Sequence, residues 1–419
     1  MKKTLREVAK DRIIILDGAM GTMIQQYGLE EEDFRGYRYR KTPGMMKGNN
    51  DMLNITRPDV ISDIHRKYLE AGADIITTNT FSSQRISQAD YHLEDSARAM
   101  ALEGARLARK AADVFSTEDR PRFVAGSVGP TNKTCSMSPD VSNPAARDLD
   151  YMTLYIDYVE QIEALEEGGA DAILIETVFD TLNAKAAIDA TMEVGRRTGK
   201  DLPIMLSITV SDLAGRTLSG QTLDAVLASV SSYPIFSIGL NCSFGADQMK
   251  PFLKQLAHRA PYYISAYPNA GLPNSLGAYD ETPESMAPQI QEFIGEGLVN
   301  IIGGCCGTTE KFIAKYVPIA EGKKPHVPQP KPQTMWLSGL ELLDVTPDVR
   351  FVNVGERCNV AGSRKFLRLI KEKSYDEAVS IARKQVADGA LVIDVNMDDG
   401  LLDAREEMRT FLNIIASEP

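Results

Sequence analysis

Short apolar runs alternate with longer amphipathic stretches over roughly the first three quarters of the chain. The apolar runs predict strands over residues 13–18, 74–81, 123–129, 172–177, 204–210, 236–242, 262–267 and 300–305. Between them, apolar positions recur with the helical period. Over residues 58–72, Val60, Ile61, Ile64, Tyr68 and Leu69 fall on one face and Gly72 supplies a stop. The same pattern predicts helices over 96–112, 151–167, 181–194, 223–230, 248–258 and 283–295, and a last one from Glu310. The stretch from the first strand to Asn54, rich in Gly, Asn and charge, reads as a long loop.

Strands that are apolar throughout are buried on both faces, which is the signature of a parallel sheet flanked by helices. Eight strand–helix units make an α/β fold of the (β/α)8 TIM-barrel kind. An open doubly wound sheet competes with this reading. It would leave the polar and sulfur residues at the strand ends spread along an edge, whereas a barrel gathers the ends of its first and last strands at one mouth. The first strand is also followed by no Gly-x-Gly-x-x-Gly turn.

The pattern changes after the eighth unit. Pro325, Pro328, Pro330 and Pro332 exclude helix and sheet and favour an extended spacer. Strands over 351–356 and 391–396 and helices over 375–388 and 406–416 then look like the first βα units of a second barrel. The expected organisation is a barrel over 1–322, a proline-rich linker over 323–349 and the truncated start of another barrel over 350–419. Two parallel strands close no core of their own, so this last part is expected to be poorly stable alone and the chain to be a piece of a longer protein.

Composition narrows the class. With 43% hydrophobic and 25% charged residues the 419-residue chain is an ordinary globular one. A net charge of −12 argues against nucleic acid as the main partner. The charged N-terminus lacks a signal-peptide core, and no apolar run nears the roughly 18 residues of a membrane span. Five cysteines, an odd number, do not describe a disulfide framework. The expectation is a cytoplasmic protein with reduced thiols and no membrane partner.

Cysteine position carries the chemistry. Cys242 ends the sixth strand, and the vicinal pair Cys305 and Cys306 ends the eighth among Gly303, Gly304 and Gly307. Any one of them reads most simply as a small buried residue, and the vicinal pair also admits a strained disulfide. Adjacent residues of a regular strand face opposite ways, so both thiols reach one metal only if the backbone turns, which the glycines permit. Three thiolates around an open position suit a catalytic Zn2+. Such a centre is a weak Lewis acid but holds a further thiolate ionised at neutral pH, which points to alkyl transfer onto a substrate sulfur. Cys135 reads as a loop residue and Cys358 as incidental. His65, His92 and His258 are expected within helices and His326 in the linker, none of them as a metal ligand.

Asp17 and Glu176 each end a barrel strand. Their bland reading is a helix cap or rim ion pair. Their functional reading is a grip on the ammonium of an amino-acid substrate, with its carboxylate on backbone N–H groups at Gly18, Ala19 and Met20. Asn79, Thr80, Ser207, Asn241 and Asn269 add polar groups at strand ends, and Asn269 is expected to fill the fourth metal position until substrate displaces it.

The runs Leu16-Asp17-Gly18-Ala19-Met20-Gly21-Thr22, Thr78-Asn79-Thr80-Phe81, Glu176-Thr177, Gly239-Leu240-Asn241-Cys242-Ser243 and Gly303-Gly304-Cys305-Cys306-Gly307 resemble the homocysteine S-methyltransferase module, in order, over about residues 10–320. The resemblance implies a zinc TIM barrel that methylates L-homocysteine to methionine. It makes Cys242, Cys305 and Cys306 the zinc ligands, with Asp17 and Glu176 at the amino-acid end of the substrate. The runs 354–366 and 394–400 resemble the start of the pterin-binding barrel of cobalamin-dependent methionine synthases, with Gly362, Ser363, Arg364, Asp394 and Asn396 as folate contacts. That implies methylcobalamin as immediate donor, 5-methyltetrahydrofolate as ultimate donor, and a cobalamin-binding domain as partner. A stand-alone methyltransferase using S-methylmethionine or betaine is the alternative enzyme, and a non-catalytic zinc- or thiol-binding module the alternative of another class.

Overall fold

The computed structural model describes residues 3–274, 277 and 279–418. The chain forms two compact units. The first comprises Met1–Lys133, Tyr151–Leu223 and Val230–Lys331, and the second Thr134–Asp150, Asp224–Ser229 and Pro332–Pro419.

The first unit is built on eight parallel strands: β1 (Ile14–Ile15), β2 (Ile75–Thr77), β3 (Phe123–Val128), β4 (Ala172–Val178), β5 (Ile204–Ile208), β6 (Ile235–Asn241), β7 (Tyr263–Tyr267) and β8 (Ile301–Ile302). From β2 onward each pairs with the next, and β8 pairs with β1. The ring closes between β1 and β2 through a parallel bridge at Leu16 and Ile75, with Asp17 N–H on the Ile75 carbonyl at 3.0 Å. This is the (β/α)8 barrel that the continuous apolar runs predict. β3 and β6 are buried at every position, and the inward residues Leu16, Leu174, Met205 and Ile301 pack into one core.

The flanking helices follow from local signals. Pro58–Ala71 starts on a proline and ends at Gly72, whose φ of +105° only glycine adopts without strain. Asp180 caps Thr181–Thr198, and Thr309 caps Glu310–Ala320. At the N-terminal face, buried Asp74 accepts Ile15 N–H and ion pairs from Arg12, Arg120 and Arg122.

Several boundaries differ from the sequence reading. β1, β2 and β8 are short. Thr77 N–H, at the end of β2, goes to the Asp17 carboxylate at 2.7 Å, while past β8 Gly303 N–H and Gly304 N–H still reach the Ala266 and Asp17 carbonyls. The expected loop before Asn54 contains helices Met20–Gln25 and Glu31–Arg35 and the start of a further turn of helix at Asn50–Met52. Helix Leu5–Asp11, fixed by a capping box between Thr4 and Glu7, precedes β1. His92 lies just past the short 3-10 turn Ala89–Tyr91 with φ +57°, not inside a helix. Asn269 stands two residues beyond β7 instead of at its end.

In the second unit, β9 (Met335–Ser338) and β10 (Leu342–Val345) form an antiparallel hairpin within the stretch read as linker. β11 (Val354–Asn359) pairs in parallel with β12 (Val392–Asn396). Helices Arg364–Lys371, Tyr375–Ala387 and Ala404–Ile415 cover this pair around Cys358, Phe366, Leu369, Val379 and Phe411. The first of those helices, capped by Ser363, is absent from the sequence reading. Among the described residues no helix is long and apolar enough to cross a membrane.

Candidate active site

A cavity of about 860 Å3 opens at the C-terminal ends of the barrel strands. Asp17, Glu176, Cys242, Cys305 and Cys306 all line it, so the mouth gathers the acids and sulfurs of β1, β4, β6 and β8. Gly18, Ala19 and Met20 form part of its wall.

The three sulfurs lie within 4.8 Å of one another, and none of the three is in a disulfide. The Sγ atoms of Cys305 and Cys306 are 4.0 Å apart, so the vicinal pair is not a disulfide. Both point inward because the chain leaves β8 in a turn. Thr308 N–H returns to the Cys305 carbonyl at 3.0 Å, and Gly307 takes φ +83°. A side chain at Gly307 would strike the Tyr279 ring. Cys242 is itself left-handed, with φ +60°, as is Ser243 after it. These are uncommon conformations for residues with a Cβ, and they aim the Cys242 thiol at the other two.

Each sulfur has its own donor. Asn241 Nδ2 lies 3.9 Å from Cys305 Sγ. The Tyr279 hydroxyl faces Cys306, and the Asn269 amide faces Cys242. Hydrogen bonds from Cys305 and Cys306 hold the Cys242 thiol far below the usual range, while those two thiols are pushed up. The cluster therefore gives up its first proton readily and resists losing the rest without a cation. Asn269 is buried, and its Oδ1 has no hydrogen-bond partner. Three soft donors and one orphaned amide oxygen fit a thiophilic divalent ion such as Zn2+. Among the described residues no histidine joins the cluster.

The acids form the other end. Asp17 is buried; its carboxylate accepts Thr77 N–H and Oγ1–H, and burial raises its pKa well above the usual range. Glu176 keeps some exposure as a residue, but its carboxyl is enclosed, and that raises its pKa to about 7 against the hydrogen bonds it accepts from Ser127 and Tyr267. The β4 register slips between Ile175 and Val178, and Thr177 within that slip has φ +59°. This β-bulge turns Glu176 toward the cavity.

The sequence reading reaches the cysteines and both acids but not Tyr279, Tyr267, Ser127 or Thr77. Ser127 and Tyr267 sit in apolar strands, where only inward direction marks them. Tyr279 follows a Gly/Pro/Asn-rich stretch with no period to read. In the second unit, Gly362, Ser363 and Arg364 follow β11, and Asn396 ends β12. Val360 N–H bonds the Asn396 carbonyl, and Asn359 pairs with Asn396, so these residues share one end of the sheet. Asp394 lies two residues back on β12.

The mouth of a parallel eight-stranded barrel thus combines clustered thiols with enclosed carboxylates in one cavity. Residues 14–318 match the Homocysteine S-methyltransferase family, and the chain belongs to it. Residues 355–419 match the Pterin binding enzyme family. The homocysteine methyltransferase MmuM of Escherichia coli, in its metallated form, shares the fold with a TM-score of 0.57 at 22% identity, over 74% of this chain and 97% of that one. Its oxidized form gives 0.56 at 23%, over 73% and 95%.

Proposed function

We propose that this chain methylates the sulfur of L-homocysteine at a zinc centre held by Cys242, Cys305 and Cys306, with methylcobalamin as immediate and 5-methyltetrahydrofolate as ultimate methyl donor. The observation that carries the first part is the meeting of three thiols and two enclosed carboxylates in one cavity. Bound zinc would supply one thing: it keeps the substrate sulfur ionised, and so nucleophilic, at neutral pH.

The chain's own residues do the rest. Asp17 and Glu176 hold the substrate ammonium, which explains why two acids occupy a site enclosed enough to raise their pKa values. An arriving cation restores their ionised forms. Backbone N–H groups at Gly18, Ala19 and Met20 hold the substrate carboxylate. Asn269, whose Oδ1 is orphaned, would hold the metal's remaining position in the absence of substrate. Ser127 and Tyr267 fix the direction of the Glu176 carboxylate.

The donor assignment is supported by the second unit. A pterin-binding match beside a homocysteine methyltransferase barrel fits a folate-derived methyl group. Gly362, Ser363, Arg364, Asp394 and Asn396 would hold the pterin at the C-terminal ends of β11 and β12. In this reading methylcobalamin on a cobalamin-binding domain carries the methyl group from the folate to homocysteine. The test is methionine formation from homocysteine and zinc-loaded protein, with each donor supplied separately. Turnover is expected with methylcobalamin, with rates rising linearly in its concentration, and not with S-methylmethionine or betaine. Turnover with either of the latter would assign the stand-alone reaction instead. Homocysteine binding with no methionine from any donor would assign a non-catalytic binding module.

A further inference from the structure

Asn241, the last residue of β6, is 1% exposed. Its Oδ1 accepts Thr177 N–H at 3.1 Å and the Ser207 hydroxyl at 2.7 Å. Its Nδ2 donates to Thr177 Oγ1 at 2.9 Å and lies 3.9 Å from Cys305 Sγ. One amide thus touches the bulge of β4, the floor of β5 and the turn after β8, while its own residue precedes Cys242 on β6.

The two Thr177 contacts have a definite job. The bulge between Ile175 and Val178 takes Thr177 N–H off the β4–β5 ladder, and Asn241 replaces the missing acceptor. Without it a left-handed threonine would carry an unsatisfied peptide group, and the chain would gain by relaxing. Glu176 is the residue before, so that relaxation would swing its carboxylate. A second route joins the same groups: the Tyr267 hydroxyl lies between Glu176 and Ser207, and Ser207 donates to Asn241. Asn241 is the node where both routes from Glu176 meet the contact to Cys305.

We propose that Asn241 is a positioning residue that couples the sulfur end of the site to its carboxylate end: it orients Cys305 and, by holding the Thr177 bulge, aims Glu176. The idea rests on the zinc-thiolate reading above and deepens it, because substrate selection then depends on a side chain that touches neither end of the substrate.

The test uses the full chain loaded with Co2+, whose thiolate charge-transfer absorption reports binding. It measures cobalt affinity by chelator competition, and the preference for L-homocysteine over 2-mercaptoethanol, which lacks the amino-acid end. Asn241→Ala should weaken cobalt binding about 10- to 100-fold, the usual loss for an outer-shell partner, and cut the preference about tenfold or more. Thr177→Val removes the hydroxyl that Asn241 Nδ2 bonds and keeps a branched Cβ that the left-handed turn disfavours, so it loosens the bulge without touching Cys305. It should keep cobalt affinity within about threefold, an effect under 1 kcal/mol, and still lose the preference. Asn241→Asp keeps both accepted bonds, the Thr177 hydroxyl turning to donate, and should restore the preference. If Asn241→Ala does not fold, the other two variants carry the test. A wild-type preference in Thr177→Val, or none in Asn241→Asp, overturns the coupling while leaving the zinc-thiolate reading standing. Wild-type protein that takes up no cobalt, or shows no preference, overturns both.

Discussion

At the scale of single residues, the site is a set of groups kept away from their ordinary protonation. Glu176 titrates near 7 because its carboxyl is enclosed, so below that pH it is increasingly neutral and cannot balance an ammonium. Homocysteine affinity should therefore fall about tenfold per unit as pH drops below 7, relative to 2-mercaptoethanol affinity measured in the same samples. Glu176→Gln should flatten that ratio; an unchanged slope would remove Glu176 from the ammonium grip. His65 gives a separate prediction about stability. It is fully buried with neither ring nitrogen partnered, and burial lowers its pKa from 6.5 to about 4. The unfolded chain then binds a proton that the folded one refuses. Its stability contribution is intact above pH 6.5 and is lost as pH falls toward 4, by on the order of 3 kcal/mol. Raised carboxylates such as Asp17 and Asp51 act in the opposite sense. The readout is accordingly the urea midpoint of wild type minus that of His65→Leu, which should fall from pH 7.5 to pH 5. Of these residues the sequence marks the cysteines and the two acids, because each closes an apolar run. It does not mark His65, which lies on an amphipathic helix face like any core position.

At the scale of elements, the strands aim the site and the turns after them finish it. Gly239 on β6 shows how little room this leaves. A Cβ there would lie 1.9 Å from the Ser265 carbonyl oxygen on β7, against backbone that cannot give way. Gly239→Ala should destabilise the barrel by roughly 1–3 kcal/mol and weaken metal binding as well, since β6 carries Asn241 and leads into Cys242. A lowered Tm with wild-type zinc affinity would show that β6 does not set the sulfur positions. Element type was readable wherever apolar runs or helical faces were long, as in β3, β4 and Pro58–Ala71. It was unreadable in Met20–Gln25 and Glu31–Arg35, which are too short to show a period; only the second carries a capping box, between Glu30 and Asp33. The β9–β10 hairpin escaped for a related reason. Its exposed and half-buried residues do not alternate, so nothing in the stretch after the prolines reads as a strand pair.

At the scale of the whole molecule, a barrel of the homocysteine S-methyltransferase family stands in one chain with a unit matching pterin-binding enzymes. The order of the strands around the closed ring was legible because parallel barrels leave their strands no polar face. The bulge at Thr177 and the left-handed Cys242 were not, since both depend on hydrogen bonds from distant strands. The central claim is that the three cysteines hold a metal that takes the substrate sulfur as its further ligand. X-ray absorption at the zinc edge tests it most directly, on the full chain before and after addition of L-homocysteine. The account predicts one zinc per chain, with three sulfurs and one oxygen or nitrogen at rest, and four sulfurs with substrate. A protein that retains no zinc, or a sulfur count that stays the same when homocysteine is bound, would contradict it.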